Sequence, residues 1–203
     1  MQQPLVIGGY GVRLVRLTED KIDLVRRWRN DPKIAQYMDF REYITKEMQM
    51  AWFKRIDNEY NFYFIIQVGE KEIGLIDIKD IDYEKGVGES GIFLWDDSFL
   101  GKQISYRSLL ILHEFAFKNL YLKSLISHIM NDNIRSQKSY RSLGFELNSN
   151  QESCVLQCYT LTYERHALAR ESVVAKLCEL IVMLGFIITN LGIDIMLANV
   201  IGG

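Results

Sequence analysis

The sequence predicts an α+β fold of mixed type, in which helices flank one mainly antiparallel sheet. Strand-like segments follow one another closely between residues 62 and 94, and a strand, a helix and a closing strand come between residues 125 and 163. The 203 residues suffice for one well-buried core but not for two comfortable domains. We therefore expect one domain over residues 1–163 and a C-terminal extension over residues 164–203.

The first part of the chain alternates a strand with two helices. Val12–Val15 has the pattern of a strand. The next helix buries Val25 and Trp28 and ends before Pro32, because the residue that precedes a proline disfavours the helical region. Thr45 is a suitable N-cap for the second helix.

Three strands are predicted next. Phe62–Gln67 and Ile73–Lys79 flank the turn Val68–Lys71, which predicts a hairpin, and Val87–Leu94 is the strand that follows. The glycines of Gly86–Gly91 match the G-x-G-x-x-G string of dinucleotide-binding folds, but they precede a strand instead of opening a helix. We interpret them as a turn into a strand.

The second half of the chain contains a long helix and a strand–helix–strand unit. The helix is predicted from Lys102 to Asn119, and the unit comprises Leu125–Met130, Ile134–Leu143 and Cys154–Tyr163. The tail that follows is helical in pattern, and its uncharged run Leu180–Ile193 is shorter than the ~20 residues of a membrane-spanning helix. We expect the tail to pack on the domain or on a second subunit, with contact to a membrane as the alternative.

Composition excludes some function classes. The formal net charge is −2, so the protein has no overall positive charge that would attract nucleic acid. We therefore expect no nucleic-acid partner. The three cysteines lack metal-ligand spacing with histidine, so we expect no metal and reduced thiols. The N-terminus has no basic segment followed by an apolar run, and we expect a cytoplasmic protein.

A candidate anion site precedes the long helix. The segment Asp96–Ser105 leads from a strand into the helix, where backbone N–H groups have no intrahelical partner and can bind a phosphate. Gly101 permits close approach of the backbone to a ligand, and Lys102 can add a positive charge.

A second motif lies downstream, and the two together identify a family. Asn133, Ser136, Tyr140 and Gly144–Phe145 stand at the spacing of a cofactor motif of the Gcn5-related N-acetyltransferase (GNAT) superfamily. The chain resembles this superfamily from 12 to 163, and the loop around Gly101 falls where the family keeps its pyrophosphate loop.

Residues in the first half of the chain resemble one particular branch of this superfamily. Trp28–Pro32, Ile34, Tyr37–Met38 and Trp52–Phe53 look like the branch that acetylates nucleotide-linked amino sugars for surface glycans, as in the pseudaminic acid pathway. Spermidine acetyltransferases and ribosomal-protein N-terminal acetyltransferases share the rest of this layout.

The resemblance implies acetyl-CoA as co-substrate, held where the fourth and fifth predicted strands, Val87–Leu94 and Leu125–Met130, splay apart. One departure from the family is Gln103, which replaces a small residue and would be strained at positive φ. The cofactor-binding residues implied by the resemblance are Phe93, Leu94, Leu100, Gly101, Lys102, Gln103, Ile104, Ser105, Asn133, Ser136 and Tyr140.

The resemblance also suggests catalytic and acceptor-binding residues. Tyr140 is the candidate general acid, because a phenol stays protonated at pH 7 and can hydrogen-bond the departing sulfur. Glu89 is the first candidate for the general base, and His128 is the alternative. Arg29, Asn30 and Met38 are expected to contact the acceptor.

The expected function is acetyl transfer to a primary amine, which we expect to belong to a nucleotide-linked amino sugar. Acetylation of a polyamine or of a protein N-terminus is the alternative within enzymes. A third hypothesis, motivated by Gln103 and the apolar tail, is a degenerate acyl-CoA-binding or interaction module. The partner is then a small-molecule amine, and the sequence leaves a homodimer open.

Overall fold

The computed structural model describes residues 4–38, 40–172 and 175. Its centre is one eight-stranded sheet with the order β1-β2-β3-β4-β5-β6-β8-β7, in which every neighbouring pair is antiparallel except the parallel pair β5–β6. The strands are β1 (Val6–Gly9), β2 (Val12–Arg16), β3 (Phe62–Val68), β4 (Lys71–Asp82), β5 (Val87–Leu94), β6 (Ser124–Met130), β7 (Glu146–Leu147) and β8 (Leu156–Thr162). This confirms the predicted mixed, mainly antiparallel sheet.

Helices cover both faces of the sheet, and residues 163–172 form a further helix, called α6 here. The other helices are α1 (Ile22–Arg29), α2 (Pro32–Ala35), α3 (Lys46–Ile56), α4 (Ile104–Lys118) and α5 (Ile134–Ser142). The predicted helix start at Thr45 is confirmed, since its side chain accepts a hydrogen bond from the Met48 amide at 3.2 Å. The long helix starts at Ile104, two residues later than predicted.

The two faces of the sheet carry two separate hydrophobic clusters. On one face α4 contributes Leu109, Leu112 and Ala116, which pack with strand residues such as Phe64 and Ile76. On the other face the strand residues pack against α1 and α3, and this cluster comprises Leu17, Ile22, Val25, Trp28, Phe53, Ile56, Tyr63, Ile65 and Leu75. Successive side chains along β3 and β4 point to opposite faces of the sheet, so both strands contribute residues to both clusters.

The sheet opens between β5 and β6. Their parallel pairing comprises Val87–Ser124, Gly88–Leu125 and Glu89–Ile126, and it stops there although both strands continue. The splayed pair predicted from the family resemblance is therefore present. Gly86–Gly91 leads into and forms part of strand β5, so its interpretation as a turn into a strand is confirmed.

The short elements β1, α2 and β7 were not predicted. At the C-terminal end, α6 begins at residue 163 and docks on α4, where His166 is 3% exposed and lies against Phe117. Arg170 of α6 forms an ion pair with Glu114 of α4. Most of the predicted apolar tail, including Leu180–Ile193, lies outside the described residues. No helix in the described part of the chain is long and apolar enough to cross a membrane.

Candidate active site

The gap between β5 and β6 opens into a cavity of about 570 Å³. One side is lined by the free edge of β5, from Ser90 to Leu94, and by residues of β6 and α5. The other side is lined by residues of α1, α3 and the segment after α2. The cavity thus joins a slot between two strands to a wider chamber under the helices.

Most of the predicted cofactor-binding residues line this slot. They are Phe93, Leu94, Leu100, Ser105, Asn133, Ser136 and Tyr140. Asn133 is the N-cap of α5, and its side chain accepts a hydrogen bond from the Ser136 amide at 3.1 Å. This cap uses the oxygen of the Asn133 amide and leaves its NH₂ group as a donor.

The loop before α4 has the properties of an anion site. Gly101 and Gln103 both adopt positive φ, at 78° and 60°, so the backbone turns sharply before the helix begins. In the described part of the chain, no backbone carbonyl accepts a hydrogen bond from the amides of Gly101, Gln103, Ile104 or Ser105. Unpaired amides at a helix N-terminus are suited to bind a phosphate.

Two residues of this loop differ from their predicted roles. Ile104 is 5% exposed and its side chain belongs to the core, so only its backbone can meet a ligand. The Lys102 ammonium lies 5.3 Å from the Phe99 ring centroid and does not line the cavity. The left-handed conformation of Gln103, for which the sequence predicted strain, is present.

Tyr140 is buried at the closed end of the slot. It is 4% exposed, and its phenol donates a hydrogen bond to the Ser90 carbonyl at 3.4 Å. Burial raises the pKa of the Tyr140 phenol, and contacts with Ser127 and Ser90 oppose this rise. The phenol is therefore protonated at neutral pH, as a general acid requires.

Glu89, the predicted base, has both carboxylate oxygens in ion-pair contact. Oε1 lies 3.0 Å from Lys79 Nζ, and Oε2 lies 3.2 Å from His128 Nδ1. His128, the alternative base, is thus in direct contact with Glu89. Both oxygens of the Glu89 carboxylate are thus occupied by neighbouring side chains.

Asp77 is a site residue that the sequence analysis missed. It lies on β4 opposite Gly91 of β5, and a Cβ added to Gly91 would meet Asp77 Oδ2 at 3.1 Å. Its Oδ1 is shielded from solvent and has no hydrogen-bond partner among residues 4–38, 40–172 and 175. Burial raises the pKa of Asp77 to about 7. A signal was present, because Asp77 interrupts the apolar run of a central strand.

The chamber beyond Asp77 is where an acceptor can lie. Arg29 and Met38, which the sequence suggested as acceptor contacts, line it together with Lys33, Tyr37 and Trp52. Burial lowers the pKa of the Arg29 guanidinium, and the opposing charge of Asp77 raises it. In the described structure the Arg29 Nε is buried without a hydrogen-bond partner.

Asn30 does not line this chamber, and the expectation that it contacts the acceptor is not supported by its geometry. Its amide donates to the Ile44 carbonyl at 2.9 Å, and its carbonyl accepts from the Ile44 amide at 2.8 Å. It lies instead beside a separate hollow of about 820 Å³ that is also lined by Trp28 and Trp95. Asn30 fixes the segment before α3, because both ends of its side chain are used.

No cluster of three or more His, Cys, Asp or Glu side chains that could hold a metal ion is found among the described residues. The cavity is lined by Leu100 and Ser105 from either side of the loop before α4 and by aromatic side chains such as Tyr37, Trp52 and Tyr63.

Comparisons with known proteins agree with this geometry. The family model described as "Acetyltransferase (GNAT) domain" matches residues 12–146. Acetyltransferase PseH of Campylobacter jejuni is 27% identical over 132 residues, which are 64% of this chain and 80% of that protein.

Two solved structures share the fold. Spermidine N-acetyltransferase from Vibrio cholerae, in complex with CoA and spermine, superposes with a TM-score of 0.70 at 17% identity, over 77% of this chain and 98% of that chain. RimL, a ribosomal L7/L12 alpha-N-protein acetyltransferase in complex with coenzyme A, gives a TM-score of 0.66 at 18% identity, over 79% of this chain and 99% of that chain.

Proposed function

Because the chain belongs to the GNAT family and is therefore an N-acetyltransferase, we propose that it transfers an acetyl group from acetyl-CoA to the amine of a nucleotide-linked amino sugar. The observation that carries the choice of acceptor is the lining of the cavity. Four Lys or Arg side chains lie there against three carboxylates, and two of the carboxylates are already paired with lysine.

The donor half of the proposal rests on the slot and on the loop before α4. The free amides of Gly101, Gln103, Ile104 and Ser105 would hold the diphosphate, and the open edge of β5 would receive the pantetheine arm through backbone hydrogen bonds. Asn133 supplies a side-chain donor to the same arm. A backbone N–H near Phe93 or Leu94 would polarise the thioester carbonyl.

The acid step is assigned to Tyr140. As the carbon–sulfur bond breaks, negative charge develops on the sulfur, and the protonated phenol donates to it. The phenol already lies at the point where β5 leaves β6, next to Ser90.

The acceptor half rests on Arg29 and its surroundings. A buried guanidinium with an unpaired Nε is suited to an anionic group such as a phosphate. The aromatic side chains of Tyr37, Phe40 and Trp52 in the same chamber offer faces for a sugar or a base. A polyamine, which is cationic along its length, would need an excess of carboxylates there.

The test is a turnover assay with acetyl-CoA and a panel of amines, in which release of the CoA thiol is measured. We expect 4-amino sugar nucleotides to give the highest kcat/KM, followed by the same amino sugars without the nucleotide. A preference for spermidine or for an N-terminal peptide would support those acceptors instead. Binding of CoA without thiol release from any amine would support a binding module.

A further inference from the structure

We propose that Asp77, rather than Glu89, accepts the proton that the acceptor ammonium must lose before it attacks the thioester. This inference rests on the proposed acetyl transfer and adds the residue that makes the amine nucleophilic.

The position of Asp77 is the first argument. It lies on the face of the sheet that looks into the acceptor chamber, directly opposite Gly91 in the β4–β5 pairing. Because Gly91 has no Cβ, the carboxylate lies against the backbone of β5 just where that strand is free on its other edge. Asp77 and the candidate acid Tyr140 line the same cavity.

The state of the carboxylate is the second argument. No Lys, Arg or His of the described residues lies within 4.0 Å of the Asp77 oxygens, whereas Glu89 has two such neighbours. Oδ1 of Asp77 is buried without a hydrogen-bond donor. Asp77 as a whole is only partly buried and lines the cavity, so an acceptor ammonium can approach its carboxylate from the chamber.

The electrostatic surroundings make Asp77 a stronger base than an ordinary carboxylate. Burial raises its pKa to about 7, so that it is about half ionised at neutral pH and readily takes up a proton. Arg29 and Lys79 oppose the rise, and Glu89 and Asp80 add to it. The charged or titratable groups that face Asp77 are Arg29 of α1, Tyr63 of β3, Lys79 and Asp80 of β4, Glu89 of β5 and Tyr140 of α5.

The protons balance over one turnover. The acceptor R–NH₃⁺ gives one proton to the Asp77 carboxylate, and the neutral amine forms a bond to the thioester carbon. The carbon–sulfur bond breaks, the sulfur takes the Tyr140 proton, and the nitrogen loses its second proton, which restores the phenol through water. Asp77 then releases its proton to solvent. The products are the N-acetyl amide, the CoA thiol and one H⁺.

The experiment compares Asp77→Asn with the matched control Glu89→Gln, using two acceptors. At saturating acceptor, the wild-type rate should rise with pH around a midpoint near 7, following the pKa of Asp77. Asp77→Asn should lower the rate about 100-fold and abolish that rise, whereas Glu89→Gln should keep it. With an aromatic amine of pKa below about 5, which is already neutral, Asp77→Asn should lose only a few-fold.

Several outcomes would overturn the inference. An unchanged pH profile in Asp77→Asn would do so, and so would equal losses with the two acceptors, which would indicate a structural role. If Asp77→Asn fails to bind CoA or to fold, Gly91→Ala replaces it, because the new methyl group would lie 3.1 Å from Asp77 Oδ2 and crowd the carboxylate. A midpoint unmoved in Gly91→Ala would count against Asp77. A wild-type chain that acetylates no amine would contradict the proposed function as well, whereas a failure of Asp77 alone leaves wild-type turnover intact.

Discussion

The phenol of Tyr140 reaches across from α5 to the carbonyl of Ser90, 3.4 Å away on β5. The side chain of the same Ser90 contacts α4, where its Oγ lies 3.3 Å from Nε2 of the buried His113. Ser90 therefore links the candidate acid to the packing of α4, at the residue where β5 leaves β6.

Removing the Tyr140 hydroxyl should lower the turnover rate but leave the affinity for CoA nearly unchanged. Tyr140→Phe keeps the ring packed on Phe145 but takes away the proton donor, so turnover should fall about 100-fold or more. The affinity for CoA, measured by calorimetric titration, should stay within a few-fold. If turnover is unchanged, Tyr140 is not the acid.

Replacing Gln103 should relieve backbone strain in the loop before α4. Gln103 has φ 60° and ψ 15°, a left-handed conformation that costs a non-glycine residue about 1 kcal/mol. We expect Gln103→Gly to bind CoA more tightly and to raise the free energy of unfolding by up to about 1 kcal/mol. Gln103→Ala is the control, since it removes the side chain but keeps the strain. Equal CoA affinities in all three proteins would show that this position does not limit binding.

Substituting Arg29 should affect an anionic acceptor selectively. Arg29→Gln removes the buried guanidinium from the chamber, so the KM for a nucleotide-linked acceptor should rise about 10-fold or more with kcat little changed. The KM for the corresponding neutral amino sugar should change much less. Lys33→Gln is a suitable control, because Lys33 is already paired with Asp97 at 3.0 Å. Similar KM changes for both acceptors would argue against a contact between Arg29 and the anionic group.

Acid should loosen the docking of α6 on α4. Burial lowers the pKa of His166 to about 4, below the ordinary value of 6.5 that applies when the chain is unfolded. The stability from a neutral His166 is fully present above pH 6.5 and is lost as the pH falls through about 4. At pH 5 the loss should be about 1–2 kcal/mol.

The measurement is thermal unfolding at pH 7.5 and pH 5, with hydrogen exchange of residues 163–172. His166→Phe should lose less stability on acidification than the wild type, because it keeps an aromatic ring against Phe117 and cannot take up a proton. Burial also lowers the pKa of His113, so part of the acid sensitivity should remain in this variant. An identical loss in wild type and variant would remove His166 as a cause.

The sequence predicted the elements whose side-chain pattern is strong, and it missed those whose pairing is decided at long range. Strand β5 and helix α4 follow from local periodicity, whereas the two-residue strand β7 exists only because β8 lies beside it. Asn30 shows the same limit at the level of a side chain. Its position at the end of α1 suggested contact with an acceptor, but its amide binds Ile44, fourteen residues away.

Asp77 illustrates why part of the site was missed. Its place opposite Gly91 depends on the register of β4 and β5, and that register shifts at an irregularity between Lys79 and Asp82. A one-residue slip in register changes which residues of two strands face each other. The family motifs contain residues of β5 and α5 but not Asp77. The residues adjacent to Asp77 in the sequence do not show which residue of β5 lies opposite it.

The three residue pairs that join β5 to β6 have a consequence for ligand entry. Past Glu89 one edge of β5 has no strand beside it in the described structure, although the strand lies in the middle of a sheet. A molecule that carries amide groups of its own can form hydrogen bonds to the backbone along that edge without displacing a strand. The end of the β5–β6 pairing thus leaves an open strand edge to which an extended molecule can bind.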